Sequence, residues 1–319
     1  MQSSLHNGGL MIGISGYHLD VKSVTQIESP FVSGVILFAR NIESKEQLLS
    51  LTAAIHALRP GILIAIDQEG GRVRRLREGF ASLSSLTELA GKNEEAKEDI
   101  IATHVNTLKS QLDQAGVDFS FTPVLDIDGG CPVIGDRAFA KKAEKVSEHA
   151  QQYLRHLDRV GLPAIGKHFP GHGSVELDSH LALPEDMRTL SAIAQSDLLP
   201  FYNACKAKIP ALMMAHVVYS KVCDKPAGFS SFWVTTVLRE WWNYQGVIFS
   251  DDLCMTGAEW AGDIRQRVKW SLDAGCDVLL VCKPEYVDAA IKAQQDFSGV
   301  EVDLIALRLA LMPNTKIAG

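Results

Sequence analysis

Short runs of apolar and β-branched residues alternate along the chain with longer segments whose apolar positions recur every three to four residues. The first pattern marks buried strands and the second amphipathic helices. The runs MIGISG (11–16), GVILFA (34–39), ILIAID (62–67), FSFTPVLD (119–126), PAIGKHF (163–169), ALMMAH (211–216), GVIFSD (246–251) and DVLLVC (277–282) read as eight strands. Between them SKEQLLSLTAAIHAL, EEAKEDIIATHVNTLKSQLDQAG, AEKVSEHAQQYLRHLDRVG, DIRQRVKWSLDAG and YVDAAIKAQQD read as helices, several closed by a glycine suited to the left-handed stop. Such alternation predicts an α/β fold with a parallel sheet. Eight units predict a single (β/α)8 barrel, with a doubly wound open sheet as the alternative. No GxGxxG or Walker sequence follows any strand, so the phosphate loop that accompanies many open sheets is missing and the barrel is preferred.

A chain of 319 residues could hold two ordinary domains. No Pro/Gly/Ser linker, low-complexity tract or shift in charge divides it, so residues 1–319 are expected to form one barrel domain. With 46% hydrophobic and 22% charged residues and no apolar run of membrane-spanning length, the composition excludes a disordered or membrane-inserted protein. The net charge is −7 and no Lys/Arg block occurs, which excludes a nucleic-acid partner. Six cysteines at 131, 205, 223, 254, 276 and 282 contain no CxxC pair and read as buried, reduced thiols. The N-terminal MQSSLHNGGLMIGISGY lacks the basic and apolar regions of a secretory signal, and with the cysteine usage it predicts a cytoplasmic protein.

In a barrel the chemistry sits at the carboxyl ends of the strands. Here those ends carry Asp67, Asp126, Lys167 with His168, His216, and Ser250 with Asp251 and Asp252. Any one of them could be a helix cap or a core histidine. Five ionisable ends together point to an enzyme acting on a polar substrate, because burying charge without partners costs several kcal/mol. The segment KHFPGHGSVELDSHLALPEDMR (167–188) is long for a strand-to-helix loop and too apolar for a simple tip, and it is expected to be a mobile catalytic loop. Within it Asp178 and His180 flank Ser179, so in extended backbone both side chains project the same way. A carboxylate there would raise the basicity of the imidazole and suit it to acid/base work; a solvated loop pair is the plainer alternative. His168, His172, His180 and His216 could serve a metal, but neither an HExxH nor an HxH occurs, and no metal site is predicted.

The sequences DQEGGRVRRL (67–76), GDRAF (135–139), KHFPGHG (167–173), DSH (178–180) and FSDDL (249–253) closely resemble those of family 3 glycoside hydrolases, in particular the bacterial cytoplasmic β-N-acetylhexosaminidases of peptidoglycan recycling. The resemblance implies a single (β/α)8 barrel and a retaining mechanism. It matches Asp251 to the nucleophile, with Asp252 second, and His180 with Asp178 to an acid/base dyad in place of the second carboxylic acid used by most glycosidases. Asp67, Arg75, Arg137, Lys167 and His168 match sugar-binding positions. The implied substrates are small muropeptides, GlcNAc-1,6-anhydroMurNAc and its peptides, handled by a monomer with no cofactor and no membrane. Cys254 stands where the family often has Ser, and His216 lies outside the matched motifs as a candidate lining residue.

Three rival readings remain at this stage. A family 3 β-glucosidase typically carries a second α/β domain, for which no residues are left over. A barrel that only binds saccharide has no need of a nucleophile and an oriented base together. A metal-dependent hydrolase would lose its activity to EDTA.

Overall fold

A computed structural model describes residues 7–91, 97–175 and 183–312. Each of the eight predicted runs overlaps a strand: β1 (Gly9–Gly13), β2 (Val32–Leu37), β3 (Leu63–Ile66), β4 (Phe119–Ser120), β5 (Ile165–Phe169), β6 (Ala211–Met214), β7 (Val247–Asp252) and β8 (Val278–Val281), the first two of them beginning two residues early. Neighbours pair in parallel in the order β4-β3-β2-β1-β8-β7-β6-β5. A bridge between Val124 and Lys167 joins the two ends of that order into a barrel. The closing hydrogen bonds run from Ile165 N to Thr122 O (2.7 Å), from Leu125 N to Lys167 O (2.8 Å) and from Lys167 N to Pro123 O (3.2 Å).

The run expected as one strand over 119–126 is divided. Phe119 and Ser120 pair with β3, and the stretch from Thr122 to Leu125 turns to β5 instead. Pro123 sits at the changeover because it has no N–H to give a ladder.

The five predicted helices correspond to Lys45–Leu58, Lys97–Ala115, Ala143–Arg159, Ile264–Ala274 and Val287–Phe297. The fourth shows why its sequence ends where it does. Asp263 caps the start by accepting from Gln266 N at 2.9 Å, and Gly275 stops the end at φ 102°, a conformation costly for residues with a Cβ. Elements absent from the sequence reading include the helices Val21–Glu28, Leu86–Ala90, Leu190–Ala194, Leu198–Lys206 and Leu304–Leu311, a hairpin of Val218–Tyr219 with Cys223–Pro226, and a π-helix over Phe232–Trp241.

Apolar side chains fill the barrel in layers, among them Met11, Leu63, Phe119, Phe249 and Leu280. Phe119, Phe121 and Phe249 meet edge to face with centroids 5.5–6.4 Å apart. The bottom of this column is closed by the helix Leu304–Leu311, which inserts Leu307 and Leu311 and ties down through Arg308 to Asp118 at 3.0 Å. All six cysteines are free thiols; Cys205 and Cys223 are half-exposed, against the expectation that all would be buried. No helix among the described residues is long and apolar enough to cross a membrane.

Candidate active site

The strand ends open on a cavity of about 610 Å³ lined by Asp67, Arg75, Arg137, Lys167, His168 and Asp251, so six of the eight predicted site residues converge. The other two, Asp178 and His180, lie outside the described residues. Phe121 forms part of the floor, with the Lys167 ammonium 5.9 Å above its ring.

The wall after β3 is built by a tight turn. Gly70 (φ 117°) and Gly71 (φ 53°) reverse the chain, and a Cβ on Gly70 would stand 2.0 Å from Ser84 O. The turn lets Glu69 N donate to Val73 O and directs both Asp67 and Glu69 toward the barrel axis. Arg137 arrives from the short turn Gly135–Arg137 and grips Glu69 with two parallel bonds of 2.9 Å, from Nε to Oε2 and from Nη2 to Oε1. Lys167 Nζ, from β5, lies 2.5 Å from Glu69 Oε1 and 3.2 Å from Asp67 Oδ1. Arg75 Nη2 completes the group at 3.5 Å from Asp67 Oδ2. Burial by itself would raise the Glu69 carboxyl, but the Arg137 guanidinium and the Lys167 ammonium overcome it and hold the group ionised, well below the usual carboxylate range.

A second buried carboxylate orders the far side. Asp126 accepts from His172 N at 2.7 Å, from His168 N at 3.1 Å and from His168 Nδ1 at 2.7 Å. Desolvation opposes its ionisation; the proximity and hydrogen bond of His168, then those of His172, prevail and lower its pKa. An ionised carboxylate only accepts, so Nδ1 of His168 carries a proton, and a guanidinium only donates, so Nε2, facing the cavity 3.5 Å from Arg137 Nη2, meets it as an acceptor. Acceptor and donor side by side are what a sugar hydroxyl requires. His172 is pushed down by burial and by the neighbouring His168, and its Nδ1 stands 3.5 Å from Cys131 Sγ.

β7 supplies Asp251 and Asp252. Asp252 Oδ1 is committed to the backbone, accepting from Cys254 N (2.9 Å) and Cys282 N (3.1 Å), while Asp252 N donates to Asp251 Oδ1 at 2.8 Å. Burial raises the Asp252 carboxyl above its ordinary value despite those two donors, and the charge of Asp251 adds to the rise. His216 does not line the cavity. It stands behind β7 with Nε2 3.0 Å from Asp252 O, its ring stacked on Phe229, and burial lowers its pKa. Cys254 is accommodated as a buried thiol, its Sγ receiving Lys283 N at 3.4 Å.

The sequence reading missed Glu69, the buried carboxylate that pairs with both Arg137 and Lys167. The signal was present, because Asp67 and Glu69 stand two residues apart at a strand end and so point to one side. Among the described residues no group of three or more His, Cys, Asp or Glu is arranged to hold a metal ion.

Residues 11–303 match the Glycosyl hydrolase family 3 N terminal domain. The chain is 45% identical over 315 residues to the β-hexosaminidase of Neisseria meningitidis serogroup B, covering 97% of this chain and 86% of that one. It is 48% identical over 266 residues to the β-hexosaminidase of Methylococcus capsulatus, covering 82% and 79%. Among solved structures it is similar to NagZ from Neisseria gonorrhoeae in complex with N-trifluoroacetyl-D-glucosamine, at TM-score 0.87 and 41% identity over 97% of this chain and 91% of that one.

Proposed function

The chain belongs to glycosyl hydrolase family 3 and is a glycosidase of the β-N-acetylhexosaminidase kind, and from that premise we propose that it is a retaining exo-β-N-acetylglucosaminidase. Its substrates in this reading are muropeptide fragments, GlcNAc-1,6-anhydroMurNAc and its peptides, from which a cytoplasmic monomer releases the terminal β-linked GlcNAc. The carrying observation is the convergence of Asp67, Arg75, Arg137, Lys167 and His168 on the cavity into which Asp251 also opens. Carboxylates, cations and an accepting imidazole nitrogen together bracket vicinal hydroxyls with charge-assisted hydrogen bonds.

In this mechanism Asp251 attacks the anomeric carbon as the glycosidic C–O bond breaks, giving a covalent glycosyl-enzyme, while His180, oriented by Asp178, gives its proton to the leaving oxygen. His180 then takes a proton from water as that water displaces Asp251 and restores the configuration at the anomeric carbon. The rank of Asp251 over Asp252 is supported by the hydrogen bonds at β7, since Asp252 is occupied in holding the tops of β7 and β8 together. A histidine acid also avoids placing two carboxylates beside a leaving group that itself bears one, as muramic acid does.

The test is a pair of assays on 4-nitrophenyl N-acetylglucosaminide and 4-nitrophenyl glucoside, with Asp251→Ala as control. Preference for the N-acetylated sugar and an inactive control are expected. Preference for the glucoside would overturn the assignment.

A further inference from the structure

Glu69 is 2% exposed and takes the Nε–Nη2 edge of Arg137 and the ammonium of Lys167 at once, yet no step of the mechanism above uses it. We propose that Glu69 is a positioning residue that acts as the internal counter-ion of the sugar site, occupying the anion position which Arg137 and Lys167 would otherwise offer to a ligand. The two cations then meet the sugar as oriented donors to neutral hydroxyls, and the site rejects sugars or small ions that carry their own carboxylate.

The geometry bears this out atom by atom. Glu69 accepts from Arg137 Nε and Nη2 at 2.9 Å, which leaves Nη1, bound to Val133 O at 3.2 Å, fixed by the same plane. Its Oε1 also receives Lys167 Nζ at 2.5 Å, so Lys167 can spare only its remaining N–H bonds, one of them directed to Asp67 at 3.2 Å. Arg137 and Lys167 come from different parts of the fold, and Glu69 is the group that both touch. An ion pair of this kind is weak as a source of net stability but sharp in what it orients. Without the carboxylate, two buried cations would face each other and the cavity, an arrangement that favours capture of an anion.

This role rests on the reading of Arg137 and Lys167 as sugar-binding cations, so Arg137→Ala is assayed alongside; if it keeps wild-type activity on 4-nitrophenyl N-acetylglucosaminide, that underlying reading has failed. Glu69→Gln preserves the shape and removes the charge. Its KM is expected to rise at least about tenfold, with a smaller change in kcat, and formate at about 0.1 M is expected to inhibit it competitively while leaving the wild type unaffected. Glu69→Ala removes the carboxylate and leaves its space; formate is expected to refill it and restore activity about tenfold or more. An active Arg137-dependent wild type together with an unaltered Glu69→Gln would overturn the counter-ion role alone. So would variants that lose kcat at unchanged KM and ignore formate, or variants neither of which folds, since Glu69 would then serve only the barrel.

Discussion

Asp126→Asn changes one atom in a buried side chain and should invert the chemistry of a neighbouring one. The carboxylate now receives N–H groups from His172, from the His168 backbone and from His168 Nδ1, the shortest at 2.7 Å. An amide of the same shape keeps one oxygen and presents an NH2 in place of the other. If the oxygen stays on the His172 side, the NH2 faces His168 Nδ1, and the imidazole avoids the clash by moving its proton to Nε2. That proton then points toward Arg137 Nη2, at 3.5 Å, and the site has lost the acceptor beside its guanidinium. Replacing a charge-assisted hydrogen bond by a neutral or conflicting one costs about 1.5–3 kcal/mol, which corresponds to roughly a 10- to 150-fold fall in kcat/KM if His168 holds a sugar hydroxyl. The loss of stability should be similar, about 2–4 kcal/mol once the conflict with the His168 backbone N–H is added. At about 2.1 cal/mol/K of unfolding entropy per residue, a chain of 319 residues shifts its Tm by about 1.5 °C per kcal/mol, so a drop of about 3–6 °C is expected. Steady-state kinetics, thermal melts and the 15N shifts of His168 measure the three effects. A variant with kcat/KM within threefold of wild type and an unmoved His168 spectrum would refute the assignment of the Nε2 acceptor.

Other substitutions separate the remaining roles. Asp251→Ala should abolish turnover, by about three orders of magnitude or more, whereas Asp252→Asn, whose amide oxygen can still receive Cys254 N and Cys282 N, should keep measurable activity; the reverse ranking would exchange the two assignments. His180→Ala should cripple hydrolysis of poor leaving groups and spare an activated aryl glycoside that needs little protonation, and equal losses on both would count against its acid role. Glu69 and Asp126 are both held below their ordinary values, so at these two positions the native chain binds fewer protons than the unfolded one. Their stabilisation is fully present above about pH 4 and fades as pH falls through the depressed native values, and Glu69→Gln should flatten the acid limb of Tm against pH. An unchanged limb would mean that other groups control acid unfolding. EDTA is expected to leave activity unaltered.

The strand positions were legible because a buried parallel strand writes itself as a short apolar β-branched run, and each run overlapped one. Their limits were less so. The division of FSFTPVLD depends on which partner each half finds, and only Pro123 hinted at it. The π-helix over Phe232–Trp241 escaped notice because its aromatic and β-branched residues do not advertise a helix; packing of Trp233, Val234, Val237 and Leu238 decides it. At the site, motif residues such as Arg137 and Lys167 could be matched one by one, but the carboxylate that joins them could not, because Arg137 and Glu69 are 68 positions apart and their pairing exists only in the folded barrel. His216 shows the opposite failure. Its place at a strand end is correct, yet its ring turns behind β7 to the main chain of Asp252.

The barrel is sealed at a residue that lines the cavity. The bonds that close β4 onto β5 pass through the main chain of Lys167, the same residue whose ammonium spans Asp67 and Glu69 across the cavity. If Lys167 binds the sugar as proposed, full affinity is expected no earlier than closure of the ring, and in a refolding experiment the return of ligand affinity would set a latest time for the meeting of the two ends of the sheet, with no label attached to either.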